Sequence, residues 1–190
     1  MFYRLTVIIL LLVSTSAFAD KCELKYLEEL EYKDIECQFY MGTAAYKNNA
    51  YSVAAAHWNL VLDSPIKYEG EAAIKTMALS TITFLTYQGL GVKQDRNKAV
   101  KNWKEAVTQG DLEARRHLGF AYSDDNFADK NLVHALGWYE SIFLLYPTPS
   151  ELEPSDQGVY NDAVEGADKL RGRLSEKQRN AAIAFAKSTL

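Results

Sequence analysis

The chain has 190 residues and a formal net charge of −4, from 21 Lys and Arg against 25 Asp and Glu. This length suits one domain of ordinary size. The lysines are scattered and form no basic stripe, which argues against nucleic acid as a partner.

The first 19 residues have the features of a secretory signal peptide. Arg4 precedes an apolar run over residues 5–13, and Ala17-Phe18-Ala19 supplies the small residues of a cleavage site. The apolar run is shorter than the ~20 residues of a membrane span. We therefore expect cleavage after Ala19, no stable membrane insertion afterwards, and a periplasmic or secreted location. The sequence does not decide between retention and release.

Two cysteines follow the cleavage site. Export would place Cys22 and Cys37 in an oxidising compartment, where a lone pair of cysteines is more often bridged than free, so we expect a disulfide. A helix over residues 23–31 would place Cys22 about 15 Å from the next turn. The bridge then requires a short first helix or a chain end that folds back. The pair lacks the neighbouring ligands of a metal site.

The remaining chain has the pattern of helices joined by turns. Residues 20–34 carry leucines at three-residue spacing and predict an N-terminal capping helix. Six further helical segments show no strand alternation, and they span residues 35–47, 51–62, 72–87, 96–108, 112–122 and 131–145. A Pro-rich loop at 147–154 separates them from two C-terminal capping helices within 155–190. The second of these begins with a capping box, Ser175 with Gln178.

Small residues in this region recur at a fixed period. Ala99 and Ala135 are 36 residues apart, and so are Ala78 and Ala114. Trp103 and Ala106 share a helical face with Ala99. Glycines and aspartates at fixed offsets mark the helix ends, namely Gly89, Gly91, Asp95, Gly110 and Asp111.

This pattern resembles the Sel-one-like repeat (SLR) family, a branch of the tetratricopeptide-like α-solenoids. The resemblance implies an all-α solenoid of three helical pairs over residues 35–146, with capping helices at both ends. It also implies a protein-protein interaction scaffold without catalysis or a cofactor. In the third unit, Asp125-Asn126-Phe127 replaces Gly89-Leu90-Gly91, which departs from the family pattern. The residues that carry the resemblance are Gly89, Leu90, Gly91, Val92, Asp95, Ala99, Trp103, Ala106, Gly110, Asp111, Ala114, Leu118, Gly119 and Tyr122.

Side chains that carry chemistry form no recognisable constellation. The three histidines lie on different helices and form no metal-binding pair. Asp124, Asp125 and Asp129 lack the central glycine and terminal glutamate of a calcium loop. No serine lies in a nucleophile elbow, and no glycine-rich loop matches a phosphate site. We expect neither an enzyme nor a metal.

In solenoids of this class, the first helix of each pair lines the concave face. Large aromatic residues on the second helices, Trp58, Trp103, Trp138 and Tyr139, are predicted to be core. Aligning the first helices by Gly42, Thr83 and Gly119 gives a column of aromatic and small polar residues. Two interpretations stay open: the column grips an extended peptide, or its members pack between repeats. The column consists of Phe39, Thr43, Tyr46, Ser80, Phe84, Tyr87, Arg116, Phe120 and Ser123.

These features together predict an exported, periplasmic scaffold that binds a protein or peptide segment on its concave face. An alternative is a cell-envelope enzyme that acts on cell-wall or β-lactam-like substrates, against which the lack of a nucleophile and base argues. A second alternative is a secreted, host-directed binding protein that uses the same face.

Overall fold

The computed structural model describes residues 34–190, so the predicted signal peptide, the N-terminal capping helix and Cys22 lie outside the described residues. Within this range the chain forms eight α-helices and no strand, which confirms the all-α prediction. The first six helices begin and end within one residue of their predicted bounds. The helices are α1 (Ile35–Lys47), α2 (Tyr51–Asp63), α3 (Glu71–Gln88), α4 (Arg96–Thr108), α5 (Leu112–Ser123), α6 (Leu132–Leu145), α7 (Pro154–Arg171) and α8 (Glu176–Lys187).

The helix ends follow from local chemistry. Asp95 accepts a hydrogen bond from the backbone N–H of Lys98 at 2.9 Å, and Asp111 accepts one from that of Ala114 at 3.2 Å. Each aspartate thereby satisfies a donor that the first helical turn leaves open. Gly89 ends α3 at φ 75°, a left-handed conformation that glycine adopts without steric cost.

The period of the sequence is also visible in backbone hydrogen bonds. The N–H of Asp95 donates to the carbonyl of Thr86 at 2.9 Å, and the N–H of Asn131 donates to that of Tyr122 at the same distance. Donors and acceptors are both 36 residues apart. The turn between α5 and α6 lacks the two glycines, and the buried side chain of Phe127 occupies the space instead. The departure in sequence therefore changes which side chain packs in the turn, but the backbone hydrogen bond across the turn is kept.

Packing of the helices gives the stack an inner and an outer row. The first helices, α1, α3, α5 and α7, contact one another in succession, whereas no comparable contacts join α2, α4 and α6. Tighter packing on one side makes that side concave. The helix α7, predicted only as a cap, therefore extends the inner row as a fourth member. No helix among residues 34–190 has the length and apolar character that a membrane crossing requires.

The last helix, α8, packs against α6 and covers its outer aromatic residues. Phe185 stacks on His134 with ring centroids 4.5 Å apart and meets Trp138 edge to face at 5.4 Å. Arg115 of α5 donates to the Thr189 carbonyl at 3.0 Å, which ties the chain end to the stack. These contacts fit the capping role predicted for α8.

An aromatic residue of each second helix is buried against the first helix of its pair. The indole N–H of Trp58 donates to the carbonyl of Phe39 at 3.2 Å, and that of Trp103 donates to the carbonyl of Ser80 at 3.4 Å. Both indoles are fully buried, and Trp138 and Tyr139 are each 6% exposed. The prediction that these residues are core is confirmed.

The contact between Trp58 and Gly42 leads to a prediction about stability. A Cβ added at Gly42 would lie 2.5 Å from the indole nitrogen of Trp58. We expect Gly42→Ala to lower the free energy of unfolding by about 1–3 kcal/mol, because the ring must shift and its hydrogen bond lengthens.

Urea unfolding monitored by circular dichroism measures this effect. Gly158→Ala in α7 is the matched control, since a Cβ there meets nothing within 4 Å. Alanine favours the helix over glycine by up to about 1 kcal/mol, so the control should equal or exceed wild type. Equal stability of the Gly42 variant and wild type would contradict the close packing.

Candidate functional site

Two clefts open on the concave side in the described part of the chain. The larger, which we call the acidic cleft, has a volume of about 670 Å³ and is bounded by α1, α3 and the N-terminal ends of α5 and α7. The smaller, the basic cleft, has a volume of about 390 Å³ and lies between α5 and α7. The acidic cleft is defined by Phe39, Met77, Ser80, Asp111, Tyr146 and Asp156, and the basic cleft by Arg116, Phe120, Tyr139, Asp162, Lys169 and Arg173.

Five of the nine predicted column residues line these clefts. Phe39 and Ser80 lie in the acidic cleft, and Arg116, Phe120 and Ser123 lie in the basic cleft. Ser80 is only 1% exposed, so it contributes little open surface. The structure thus divides the predicted column between two separate sites.

The other four column residues line neither cleft. Tyr87 is fully buried, and its hydroxyl donates to the Asp124 carboxylate at 2.9 Å. Tyr46 packs against Tyr51 and Trp58 of α2. Phe84 stacks on a histidine of the next pair, and the Thr43 hydroxyl donates to the carbonyl of Phe39 on its own helix. For Tyr46, Phe84 and Tyr87 the structure favours the interpretation of packing within and between repeats.

His117 joins the second and third helical pairs beneath the concave face. Its ring stacks between Trp103, at 4.7 Å between centroids, and Phe84, at 5.2 Å. Its Nε2 lies 3.1 Å from the Glu113 carboxylate. Burial lowers the pKa of His117, although the Glu113 carboxylate opposes this shift. A neutral imidazole that donates to Glu113 fits this environment.

Glu113 and Arg116 form an ion pair at the boundary between the clefts. The guanidinium Nε of Arg116 donates to Glu113 at 3.0 Å, and a second nitrogen contacts the other carboxylate oxygen. Burial alone would raise the pKa of Glu113, but hydrogen bonds from His117 and Arg116 outweigh it and lower the pKa to about 2. Arg116 also faces Asp162 of α7 at 3.7 Å. Glu113 is therefore ionised at neutral pH.

The acidic cleft combines carboxylates with apolar surface. Burial raises the pKa of Asp111 and also that of Asp156, to which the charge of Glu113 contributes. No Lys or Arg is among the residues that line this cleft. Met77, 46% exposed, supplies an apolar side chain at its wall. A cationic side chain with an apolar stem suits such a site.

The basic cleft is built around Tyr139. A Cβ added at Gly119 or at Gly166 would lie 2.4 Å or 2.6 Å from the Tyr139 ring, so the two glycines enclose it from both sides. Burial raises the pKa of Tyr139 to about 12, so the hydroxyl is protonated and can donate. Three cations, Arg116, Lys169 and Arg173, share the lining with Asp162 and Glu165.

Sequence reasoning missed the contribution of α7 to this face. Asp156, Asp162, Gly166 and Lys169 all line clefts, whereas the whole helix was predicted only to cap the stack. A signal was present: the small residues Ala163, Gly166 and Ala167 repeat the composition of the packing face of α5, around Gly119. Tyr139 was predicted only as core, because burial of its ring does not reveal where its hydroxyl points.

Metal and disulfide predictions concern residues away from the clefts. Across residues 34–190, no three potential metal-ligating side chains come together. In the loop considered for calcium, Asp124 accepts from the Asn126 N–H and Asp125 pairs with Lys130. Cys37 is 2% exposed. Because Cys22 lies outside the described residues, the disulfide stays a prediction.

Comparison with known proteins identifies the fold. No protein-family model and no curated protein matches the sequence. The structure is similar to the crystal structure of a protective antigen present in uropathogenic Escherichia coli strains, described as displaying an SLR fold, with a TM-score of 0.61 over 86% of this chain. This chain has an SLR fold. The match has 18% sequence identity and spans 31% of the antigen's chain, so it establishes the fold alone.

The SLR fold confirms the resemblance inferred from the glycine and alanine positions. A fold alone assigns no function, so the role of the clefts has to be argued from their own residues.

The ion pair of Glu113 gives a pH-dependent prediction. Its pKa of about 2 lies below the ordinary value of 4.5. The stabilisation is therefore present above pH 4.5 and is lost as the pH falls toward 2. Wild type should therefore lose unfolding free energy between pH 4.5 and pH 2. We expect Glu113→Gln to lose about 1–2 kcal/mol less than wild type over this range, a figure that allows for solvent screening of a partly exposed pair.

Urea unfolding at several pH values between 2 and 5 tests this, with Glu165→Gln as control. Glu165 is exposed and, among residues 34–190, pairs with Lys169 alone, so its variant should follow the wild-type slope. Parallel slopes for wild type and Glu113→Gln would show that Glu113 ionises normally in the folded protein.

Proposed function

We propose that this protein is an exported, periplasmic scaffold that binds a protein or peptide segment along its concave face, and that it has no catalytic role of its own. The observation that carries the proposal is the pair of adjoining clefts, of opposite charge, on the inner row of an SLR fold. An extended chain that runs from the N-terminal end of α7 toward its C-terminal end would place side chains in both.

The surfaces of the clefts support binding of a polypeptide. Both clefts fall within the range of about 300–1,000 Å³ that ligand pockets occupy, which leaves room for side chains of a bound segment. Phe39, Met77 and Phe120 give apolar contact area, and methionine and aromatic residues are enriched at protein interfaces. Charged residues beside them supply orientation and specificity.

The Glu113–His117 pair is the feature of this face that most resembles acid–base machinery, but its geometry suits a structural role. His117 is 4% exposed, both faces of its ring are covered by aromatic side chains, and its Nε2 is engaged by Glu113. A general base must reach the proton that it removes. We therefore do not favour the cell-wall or β-lactam enzyme.

Export rests on the sequence of the first 19 residues. The periplasmic scaffold and the host-directed binding protein differ only in where the exported chain finally resides, and both use the same concave face. We favour the periplasm because the chain needs only its signal peptide to reach it.

Export predicts a defined mature protein. The chain recovered from the cell envelope should begin at Asp20, whereas Ala17→Arg should block cleavage, because signal peptidase sites require small residues at this position. Intact-mass measurement after cell fractionation distinguishes the two forms. Recovery of a wild-type chain that still begins at Met1 would contradict the export proposal.

Binding on the concave face predicts that a bulky charge there blocks the partner. Met77→Arg places a long cation in the acidic cleft, and Leu60→Arg on α2 is the matched control, since the two side chains are 46% and 41% exposed. Both variants should fold, because exposed substitutions change stability little.

The measurement is covalent cross-linking in cells that produce each form, followed by quantitative mass spectrometry. A partner captured by wild type and by Leu60→Arg should fall at least tenfold with Met77→Arg. A partner captured equally with Met77→Arg, or lost only with Leu60→Arg, would place the binding surface elsewhere.

A further inference from the structure

The basic cleft contains a hydroxyl group without a partner in the described chain. Trp58, Trp103 and Tyr139 occupy equivalent positions in the three helical pairs. Each indole N–H donates to a carbonyl of the preceding helix. The Tyr139 hydroxyl forms no hydrogen bond with residues 34–190, and it lines the basic cleft although the residue is 6% exposed. The hydroxyl oxygen itself stays accessible from the cleft, so an acceptor group of a ligand can reach it in place of water.

The position of this hydroxyl is fixed by packing. Gly119 and Gly166 enclose the ring from opposite sides, and the nearest Tyr139 atoms to a Cβ at Gly166 include the phenol oxygen. The ring therefore cannot turn away from the cleft without clashing with a helix backbone. A donor held in one orientation loses little entropy when it binds a ligand.

The cations around the hydroxyl differ in the number and strength of the ion pairs that they form with the protein. Arg116 is engaged by Glu113 and Asp162. Within the described part of the chain, Lys169 forms one surface pair, with Glu165 at 3.1 Å, and both side chains are about 70% exposed. The guanidinium of Arg173 makes no hydrogen bond or ion pair with the described residues. The charge of Arg173 does act on the exposed carboxylate of Asp125. An incoming anion therefore meets two cations that are only weakly engaged.

Helix dipoles account for part of this charge pattern. Cations stabilise a helix C-terminus, which explains Lys169 in the last turn of α7, and carboxylates stabilise an N-terminus, which explains Asp156. The dipole does not explain the enclosed Tyr139 hydroxyl, nor Arg173, which lies beyond the helix end. Both groups are hydrogen-bond donors in the lining of the same cleft.

The two clefts set a distance for a ligand that uses both. Asp156 and Lys169 are 13 residues apart on α7, or about 20 Å along the helix axis. An extended peptide covers this distance in about six residues, at ~3.3 Å per residue. The acidic cleft would repel a uniformly acidic segment, so charges of opposite sign are needed at the two ends.

We propose that the basic cleft binds a carboxylate side chain of an extended peptide segment, with a Lys or Arg of the same segment in the acidic cleft about six residues away. Tyr139 donates its hydroxyl to the carboxylate, and Arg173 pairs with it. Asp156 and Asp111 receive the basic side chain. This inference rests on the proposed peptide-binding function and specifies the chemistry of the bound segment.

Selection from a phage-displayed library of random twelve-residue peptides tests the pattern, with the mature chain as bait. Wild type should enrich peptides with one Asp or Glu and, five to seven positions away, one Lys or Arg. Arg173→Glu should abolish the acidic preference and leave the basic one. Lys177→Glu, an exposed charge reversal on α8, should select as wild type does.

Fluorescence anisotropy with the best selected peptide isolates the role of the hydroxyl. Tyr139→Phe keeps the ring and should weaken binding about tenfold, because a hydrogen bond to a charged group is lost. Against the same peptide with its acidic residue changed to the amide, wild type and Tyr139→Phe should differ far less. Equal affinity of the two proteins for the acidic peptide would overturn the role of Tyr139.

The selections also separate this inference from the proposed function. Peptides that bind wild type and are blocked by Met77→Arg, but lack an acidic preference, would overturn the carboxylate site and leave concave-face binding intact. Acidic peptides without a basic residue at the stated spacing would overturn the pairing of the two clefts. Selected peptides that bind Met77→Arg as tightly as wild type would contradict the proposed function itself.

Discussion

The close approach of one aromatic ring to a glycine of the preceding helix is the contact on which the first and third helical pairs depend. Trp58 lies on Gly42, and Tyr139 lies on Gly119, at distances that leave no room for a Cβ. Because the ring fills the space between two helices, it sets their separation. Between pairs, the His117 ring continues the stack from Trp103 to Phe84. Contacts between aromatic rings thus join the helices within and between pairs. The inner face consists of the first-helix residues that do not take part in these contacts.

The fold was predictable because its signals are local. Gly89, Asp95 and Asp111 act within one turn of their own positions, through left-handed backbone or through a side chain that caps a nearby N–H. The 36-residue spacing then links one turn to the next without knowledge of any distant contact. Even the third turn, with Asp125-Asn126-Phe127 in place of glycines, closes through the same backbone hydrogen bond. SLR architecture could therefore be recognised although sequence identity to the similar antigen is 18%.

The site was less predictable because its geometry depends on which aromatic side chains are buried in the core and which line the concave face. Phe84, Tyr87 and Phe120 all lie on first helices and all belong to the predicted column. Tyr87 is nevertheless fully buried, whereas Phe120 lines a cleft. The difference arises from long-range partners: Asp124 accepts the Tyr87 hydroxyl from 37 residues away. No local pattern contains that information. The role of α7 was missed for the same reason, since only its contact with α5 shows that it extends the inner row.

The charge pattern of the concave face follows from the direction of its helices. Successive first helices place their N-terminal ends toward the acidic cleft, where Asp111 caps α5 and Asp156 lies in the first turn of α7. Carboxylates there are favoured by the helix dipole whether or not a ligand binds. Capping residues that stabilise each helix thereby also give the face a negative end, and the cations at the end of α7 give it a positive one. The proposed segment, with one basic and one acidic side chain, would have one preferred direction on such a face, because reversal would bring like charges together at both ends. Its orientation would then follow from the charges that stabilise the helix ends.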